Sequence, residues 1–116
     1  MPEYLPILKP GQAITLAASA TITGGQLVEV TGSGTVGPAG AASVKVVGVA
    51  AFDAVSTDNV TIFAGGVQSV LASGAITAGQ VVQAGAAGTV AAGATAPIGI
   101  ALTTGTDVVV RVQMVR

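Results

Sequence analysis

The segment ASATITGGQLVEVTGSGTV, Ala18 to Val36, returns 54 positions later as ASGAITAGQVVQAGAAGTV, Ala72 to Val90. Ten of the 19 aligned positions are identical, among them Ile22/Ile76, Gly25/Gly79, Gln26/Gln80, Val28/Val82 and the trio Gly34-Thr35-Val36 against Gly88-Thr89-Val90. After a shortening of three residues the match resumes, with VVGVA (Val46 to Ala50) falling on PIGIA (Pro97 to Ala101). Self-similarity of this length marks two copies of one structural unit, spanning about 12–64 and 66–115 of a single β-domain that occupies 12–116. The copies share turn residues and apolar alternation, which points to a scaffold.

Outward from the repeat, short apolar runs alternate with Gly, Thr, Ser, Asn and Asp, the pattern of strands at regular spacing. The clearest is VVVRVQMV near the C-terminus. A two-residue period puts Val108, Val110, Val112 and Met114 on one face and Val109, Arg111, Gln113 and Val115 on the other. Arg111 and Gln113 mark the second face as wet or interfacial. Further strands are predicted over Ala13–Ala17, Gln26–Thr31, Val44–Ala50, Val60–Phe63, Val67–Leu71, Gln80–Ala84 and Ile98–Leu102. Turns are predicted at Gly24-Gly25, Gly32-Ser33-Gly34, Asp58-Asn59, Gly65-Gly66, Ala86-Ala87-Gly88 and Gly105-Thr106-Asp107, where Asp and Asn side chains can bond the nearby backbone. The Ala-rich stretches hold no i, i+3, i+4 stripe, and Ala39 to Ser43 is read as one short turn. The fold class is all-β: eight to ten short strands in a compact barrel or sandwich, β-tulip-like, built from two copies of a β-unit.

Residues 1–11 differ from the rest. Pro2, Pro6 and Pro10 exclude helix and favour an extended arm. Between them stand Tyr4, Leu5, Ile7 and Leu8, four large apolar side chains too near the terminus to be needed in the core. They are the candidate partner-binding residues. The opening lacks a basic segment followed by a long apolar run, so it does not read as an ordinary signal peptide.

Composition narrows the function. Only 8% of residues are charged, against about 25% in an average globular domain. Such a surface is either coated with neutral polar groups or covered by copies of the chain or a larger partner. Net charge is −1, and the four basic residues Lys9, Lys45, Arg111 and Arg116 are scattered, so no phosphate-binding footprint exists and nucleic acid is not the partner. The stretch from Asn59 to Thr106 carries no charge, yet its Gly, Gln, Ser and Pro97 read as strands and turns, not a membrane span.

Catalysis finds no support. The chain has no His and no Cys, and its acids Glu3, Glu29, Asp53, Asp58 and Asp107 form no recognisable acid–base or nucleophile constellation. Asp53 and Asp58 are close enough in sequence to share a hard cation, but no EF-hand-like spacing accompanies them and turn capping accounts for both. Gly32-Ser33-Gly34-Thr35-Val36-Gly37 spells GxGxxG without the strand–helix context that gives the motif meaning; a hairpin loop explains it. Asn59-Val60-Thr61 has the form of a glycosylation sequon at a tight turn. The reading is therefore a non-enzyme with no cofactor, metal or small-molecule substrate.

The order ITxGQ(L/V)V, G-T-V, then (I/V)-G-(V/I)-A and an apolar strand, given twice between Gly11 and Val115, resembles the capsid decoration (cement) proteins of tailed bacteriophages, including the group labelled capsid fibre or cement. The first copy is also similar in order to the lambda-type head decoration protein. The resemblance implies a β-rich virion protein, commonly a homotrimer, that binds the major capsid protein on the outer capsid surface and stabilises the expanded head. Met1 to Pro10 would match by position the N-terminal segment that becomes ordered on the shell. A second reading is a carbohydrate- or host-surface-binding module, such as a head-fibre base. Sites of that kind usually offer aromatic platforms, and Tyr4, Phe52 and Phe63 are the only aromatic residues.

Overall fold

The computed structural model describes residues 13–114. Val, Ile and Thr alternating with small residues draw this stretch into twelve strands, since β-branched side chains pack well on a pleated, half-buried surface. The first half contributes β1 (Ala13–Ala18), β2 (Leu27–Gly32), β3 (Thr35–Pro38), β4 (Val46–Ala50) and β5 (Asn59–Phe63). The second contributes β6 (Gly66–Leu71), β7 (Ala75–Ile76), β8 (Val81–Ala84), β9 (Val90–Ala92), β10 (Pro97–Ala101), β11 (Gly105–Thr106) and β12 (Val109–Met114), with a single 3₁₀ turn at Ala86–Gly88. No described helix is long and apolar enough to cross a membrane.

Strands β1–β5 form a closed barrel in the order β1-β3-β2-β4-β5. Closure comes from a parallel β1–β3 pairing (Ala17 with Thr35, Ala18 with Val36) and an antiparallel β1–β5 ladder. The second sheet runs β6-β12-β10-β8-β9. Its two edges meet at a parallel bridge between Ala72 and Val90, the residues that correspond to Ala18 and Val36. Going round, each half therefore has the same cyclic strand order. The bridge Ile22–Ala54 in the first half likewise corresponds to the β7–β11 pair, Ile76 with Gly105.

The repeat in sequence is a repeat in hydrogen bonds. The Thr23 amide donates to Gln26 Oε1 at 2.8 Å and the Thr77 amide to Gln80 Oε1 at 2.7 Å. Gly25 and Gly79 follow with φ of 90° and 91°, a left-handed conformation that side-chain-bearing residues rarely adopt. Their amides bond the Ala50 and Ala101 carbonyls at 2.8 and 2.7 Å.

With its edges joined by the one Ala72–Val90 bridge the second sheet curls into a second, less fully closed barrel, and each of the two has its own interior. Ile22, Val28, Val36, Val60 and Ile62 fill the first; Val70, Ile76, Val82, Ile98, Val110 and Val112 fill the second. Leu27, Val46 and Val49 belong to the second cluster although they stand on first-half strands. They point outward from the first barrel, and the second barrel covers them. No polar or charged residue is buried among the described residues.

Four details depart from the sequence reading. Twelve strands stand where eight to ten were expected; the additional ones, β3, β7, β9 and β11, are two to four residues long. Asn59 and Gly66 open strands, so the turns fall earlier, at Ser56-Thr57 and Ala64-Gly65. Gly105 and Thr106 likewise form β11, so only Asp107 of that predicted turn lies outside a strand. Val108 is exposed, because the chain leaves a bend at Asp107 (φ 52°) just before β12 begins. Val110, Val112 and Met114 are buried as the alternation requires, and Val109, Arg111 and Gln113 face outward. Val115 lies outside the described residues.

Candidate functional site

The described chemistry-bearing residues are dispersed, and Asp53, Asp107 and Glu29 each have a structural task. The Asp53 carboxylate accepts from the Gly24 amide at 2.7 Å, and Asp107 accepts from the Gly74 amide at 2.7 Å. Asp53 and Asp58 both line a shallow groove with Thr21, Ile22, Thr23, Ala54 and Val55, but no cluster of three potential ligands forms among the described residues. The GxGxxG stretch is the β2–β3 hairpin, tied by Thr31 and Thr35 hydroxyls 3.1 Å apart. Asn59, the sequon residue, is exposed at the start of β5.

Glu29 carries the clearest electrostatic perturbation. Its Oε1 accepts from the Gly40 amide at 2.6 Å, and its Oε2 lies 3.5 Å from Lys45 Nζ. The Gly40 amide, then Ser43 and Lys45, favour the ionised carboxyl and hold it below the usual glutamate range against a smaller opposing effect of partial desolvation. In the second barrel Gln83 does the same work uncharged: its Oε1 accepts from Thr95 and Ala96 amides at 3.1 and 3.3 Å. The shared task is to cap the loop after β3 or β9. This use of an acid is architectural.

A second groove runs along the seam between the barrels, where Gly24 and Gln26 face Leu71, Gly88 and Val109. No titratable side chain lines it. Gln26 Nε2 crosses the seam to the Ala87 carbonyl at 3.0 Å, and the Gly88 amide donates to the Ala39 carbonyl at 2.8 Å.

What the surface does offer is apolar area. On the outer side of β6 and β12, Leu71 pairs with Val109 and Val67 with Gln113. Gln113 in turn pairs with Ile100 on β10, and Ile100 with Val81 on β8. Val67, Leu71, Val81, Ile100 and Val109 are all exposed, so one sheet face crosses four strands with scarcely a charge apart from Arg111. Exposed apolar side chains gathered on one face, here interrupted by Gln113 and by the Arg111–Ser69 pair, are the kind of surface that interaction sites use. The sequence reading found the β12 part of this face. It missed Val81 and Ile100; the available signal was the run Pro97-Ile98-Gly99-Ile100, apolar on both faces, as buried or covered strands are. The four arm residues singled out from the sequence, Tyr4, Leu5, Ile7 and Leu8, lie outside the described residues.

Comparison with known proteins agrees with this picture. No curated protein sequence matches the chain. Its fold is similar to that of the head fiber gp8.5 N base of bacteriophage phi29, known from a crystal structure, with a TM-score of 0.71, 18% identity, and coverage of 89% of this chain and 92% of that one. A family model described as phage cement protein matches residues 8–114. That span takes in both barrels, and the chain therefore belongs to the phage cement protein family.

Proposed function

We propose that this protein binds the major capsid protein on the outside of a phage head and stabilises the expanded shell, acting as a homotrimer without catalytic activity. Its membership of the cement family makes it a capsid-associated structural protein of the virion surface. The observation that carries the finer reading is the family match across both barrels; the β6–β12 part of the exposed apolar face, at Val67, Leu71 and Val109, supplies its physics. Each valine, leucine or isoleucine covered on docking contributes roughly 1.5–3 kcal/mol before the costs of association. Three copies engaging a repeating lattice would multiply modest contacts through avidity.

The arm is the second contact in this proposal. Tyr4, Leu5, Ile7 and Leu8 have the apolar content to dock on a neighbouring capsid subunit, and ordering them costs on the order of 1–2 kcal/mol per residue, so the arm tightens binding only when the barrels dock as well. Deletion of residues 1–10 is expected to leave a folded protein that no longer cosediments with expanded capsids lacking their own cement protein. Full binding by the truncated chain would remove the arm from the proposal, and absence of binding by the intact chain would remove the proposal itself.

One alternative is a host-surface or carbohydrate contact made as part of a head-fibre base, the kind of structure whose fold this chain shares. Phe52 and Phe63, both partly exposed, are the described aromatic residues it could use. Glycan-array binding without capsid binding would select it.

A further inference from the structure

The contact between the two barrels is directional, and the repeat leaves a second copy of each of its halves unused. The outer side of the first barrel, at Leu27 (0% exposed) and Val49 (4%), is buried in one apolar cluster with Ala84 from the end of the second barrel, where Gly88 lies against Gln26 and Leu27. The residues equivalent to Leu27 and Val49 in the second barrel are Val81 and Ile100, each 38% exposed. The residues equivalent to Ala84 and Gly88 in the first barrel are Val30, 38% exposed, and Gly34, also exposed. One apolar side and one barrel end therefore stand open, and by position they are the counterparts of the two surfaces buried against each other within the chain, apolar or glycine at each of these places.

The polar part of the contact is duplicated too. Gln26 is fixed by the Thr23 amide on its Oε1, which leaves its Nε2 to reach the Ala87 carbonyl across the seam. Gln80 is fixed identically by the Thr77 amide, and the counterpart of Ala87 is Ser33, at the tip of the open hairpin. Close approach at the seam needs a glycine: a Cβ on Gly88 would sit 2.8 Å from Gln26 Cβ and 3.0 Å from the Leu27 carbonyl oxygen. Its counterpart is again a glycine, Gly34, and a Cβ there meets nothing within 4 Å.

From this arrangement we propose that copies of the chain join head to tail: the Val81–Ile100 side of one second barrel receives the Val30–Gly34 hairpin end of the next chain's first barrel, repeating between molecules the contact made within each. The inference names the contact behind the self-association proposed above and rests on it. A contact of this kind joins different surfaces of the two partners, so it builds a ring if the rotation closes and a filament if it does not. A ring of three chains holds six barrels with intrachain and interchain seams alternating. The interchain seam is the weaker one. The Ala42 amide that bonds the Ala84 carbonyl at 2.8 Å comes from the 39–45 loop, which the second copy shortens by three residues.

The test is sedimentation equilibrium of the full chain at about 100 μM, beside a Val81→Asp/Ile100→Asp double variant whose side chains are exposed and whose barrel should fold. The wild type is expected to be a closed oligomer, and the variant to melt at a similar temperature while its self-dissociation constant rises on the order of 100-fold. A monomeric wild type, or a variant that assembles as the wild type does, overturns the inference. Because the chain has no cysteine, a Ser33→Cys/Gln80→Cys protein treated with a short bismaleimide gives a second reading that does not depend on the aspartates. Covalent oligomers that neither single-cysteine variant forms support the contact; cross-linking only within single chains overturns it. Capsid cosedimentation of the same proteins separates the two ideas: a monomeric wild type that still binds capsids ends this inference and leaves the decoration role standing.

Discussion

Gly48 and Gly99 hold equivalent places in the two barrels, and each lies under a neighbouring strand. A Cβ at Gly48 would meet the Phe63 carbonyl oxygen, and one at Gly99 the Gln113 carbonyl oxygen. Both contacts are with backbone, which cannot swing aside as a side chain can. Gly99→Ala is therefore expected to force β10 away from β12 and cost about 1–3 kcal/mol in urea unfolding, the usual range for overpacking a filled site. A variant as stable as the wild type would show that the ladder parts without penalty. The sequence displayed this glycine in both copies, in VVGVA and PIGIA. It could not display the reason, because the strand that crosses the glycine is 14 or 15 residues further along.

The loops that follow β3 and β9 show how one structural task tolerates different chemistry. Glu29 and Gln83 sit at matching positions, and each presents a side-chain oxygen to loop amides. Glu29→Gln should therefore keep the cap but lose the negative charge that the Gly40 amide favours and the ion pair with Lys45, whose side chain is 60% exposed; exposed pairs contribute about 0–1 kcal/mol. The pH dependence distinguishes the two proteins. A folded-state pKa lowered by the Gly40 amide gives Glu29 a stabilising contribution that is complete above the unfolded glutamate value of about 4.3 and disappears as pH falls through the lower folded value. The wild type should lose more stability than Glu29→Gln between pH ~5 and pH ~3, read from denaturant midpoints at each pH. Parallel curves would mean that Glu29 titrates alike in both states. At this scale the sequence was largely legible: the predicted strands all occur, because runs of β-branched residues bounded by Gly and Asp leave few alternatives. β3 and β9 escaped because strands of four and three residues are too short to establish alternation. β7 and β11, two residues each, have no period at all.

For the whole molecule, scarcity of charge is the property that links fold to role. Four basic and five acidic residues serve 116 positions, and of the acids Glu29, Asp53 and Asp107 are engaged with backbone amides. Composition alone showed that the surface had to be either neutral and polar or covered. It could not show which strands carry the uncovered apolar side, since Leu27 and Val81 look interchangeable until one is seen buried and the other open. If docking on a capsid uses such apolar surface, its free energy comes from water released from non-polar groups, which salt at moderate concentration does not screen. Charge-driven docking behaves otherwise, because the Debye length contracts from about 14 Å near 0.05 M to about 4 Å near 0.5 M. Capsid affinity is accordingly expected to change less than about threefold between roughly 50 and 500 mM sodium chloride, measured by cosedimentation at fixed temperature. A fall of a decade or more across that range would assign the binding energy to the few charges, with Arg111 on the exposed β12 face the first to replace.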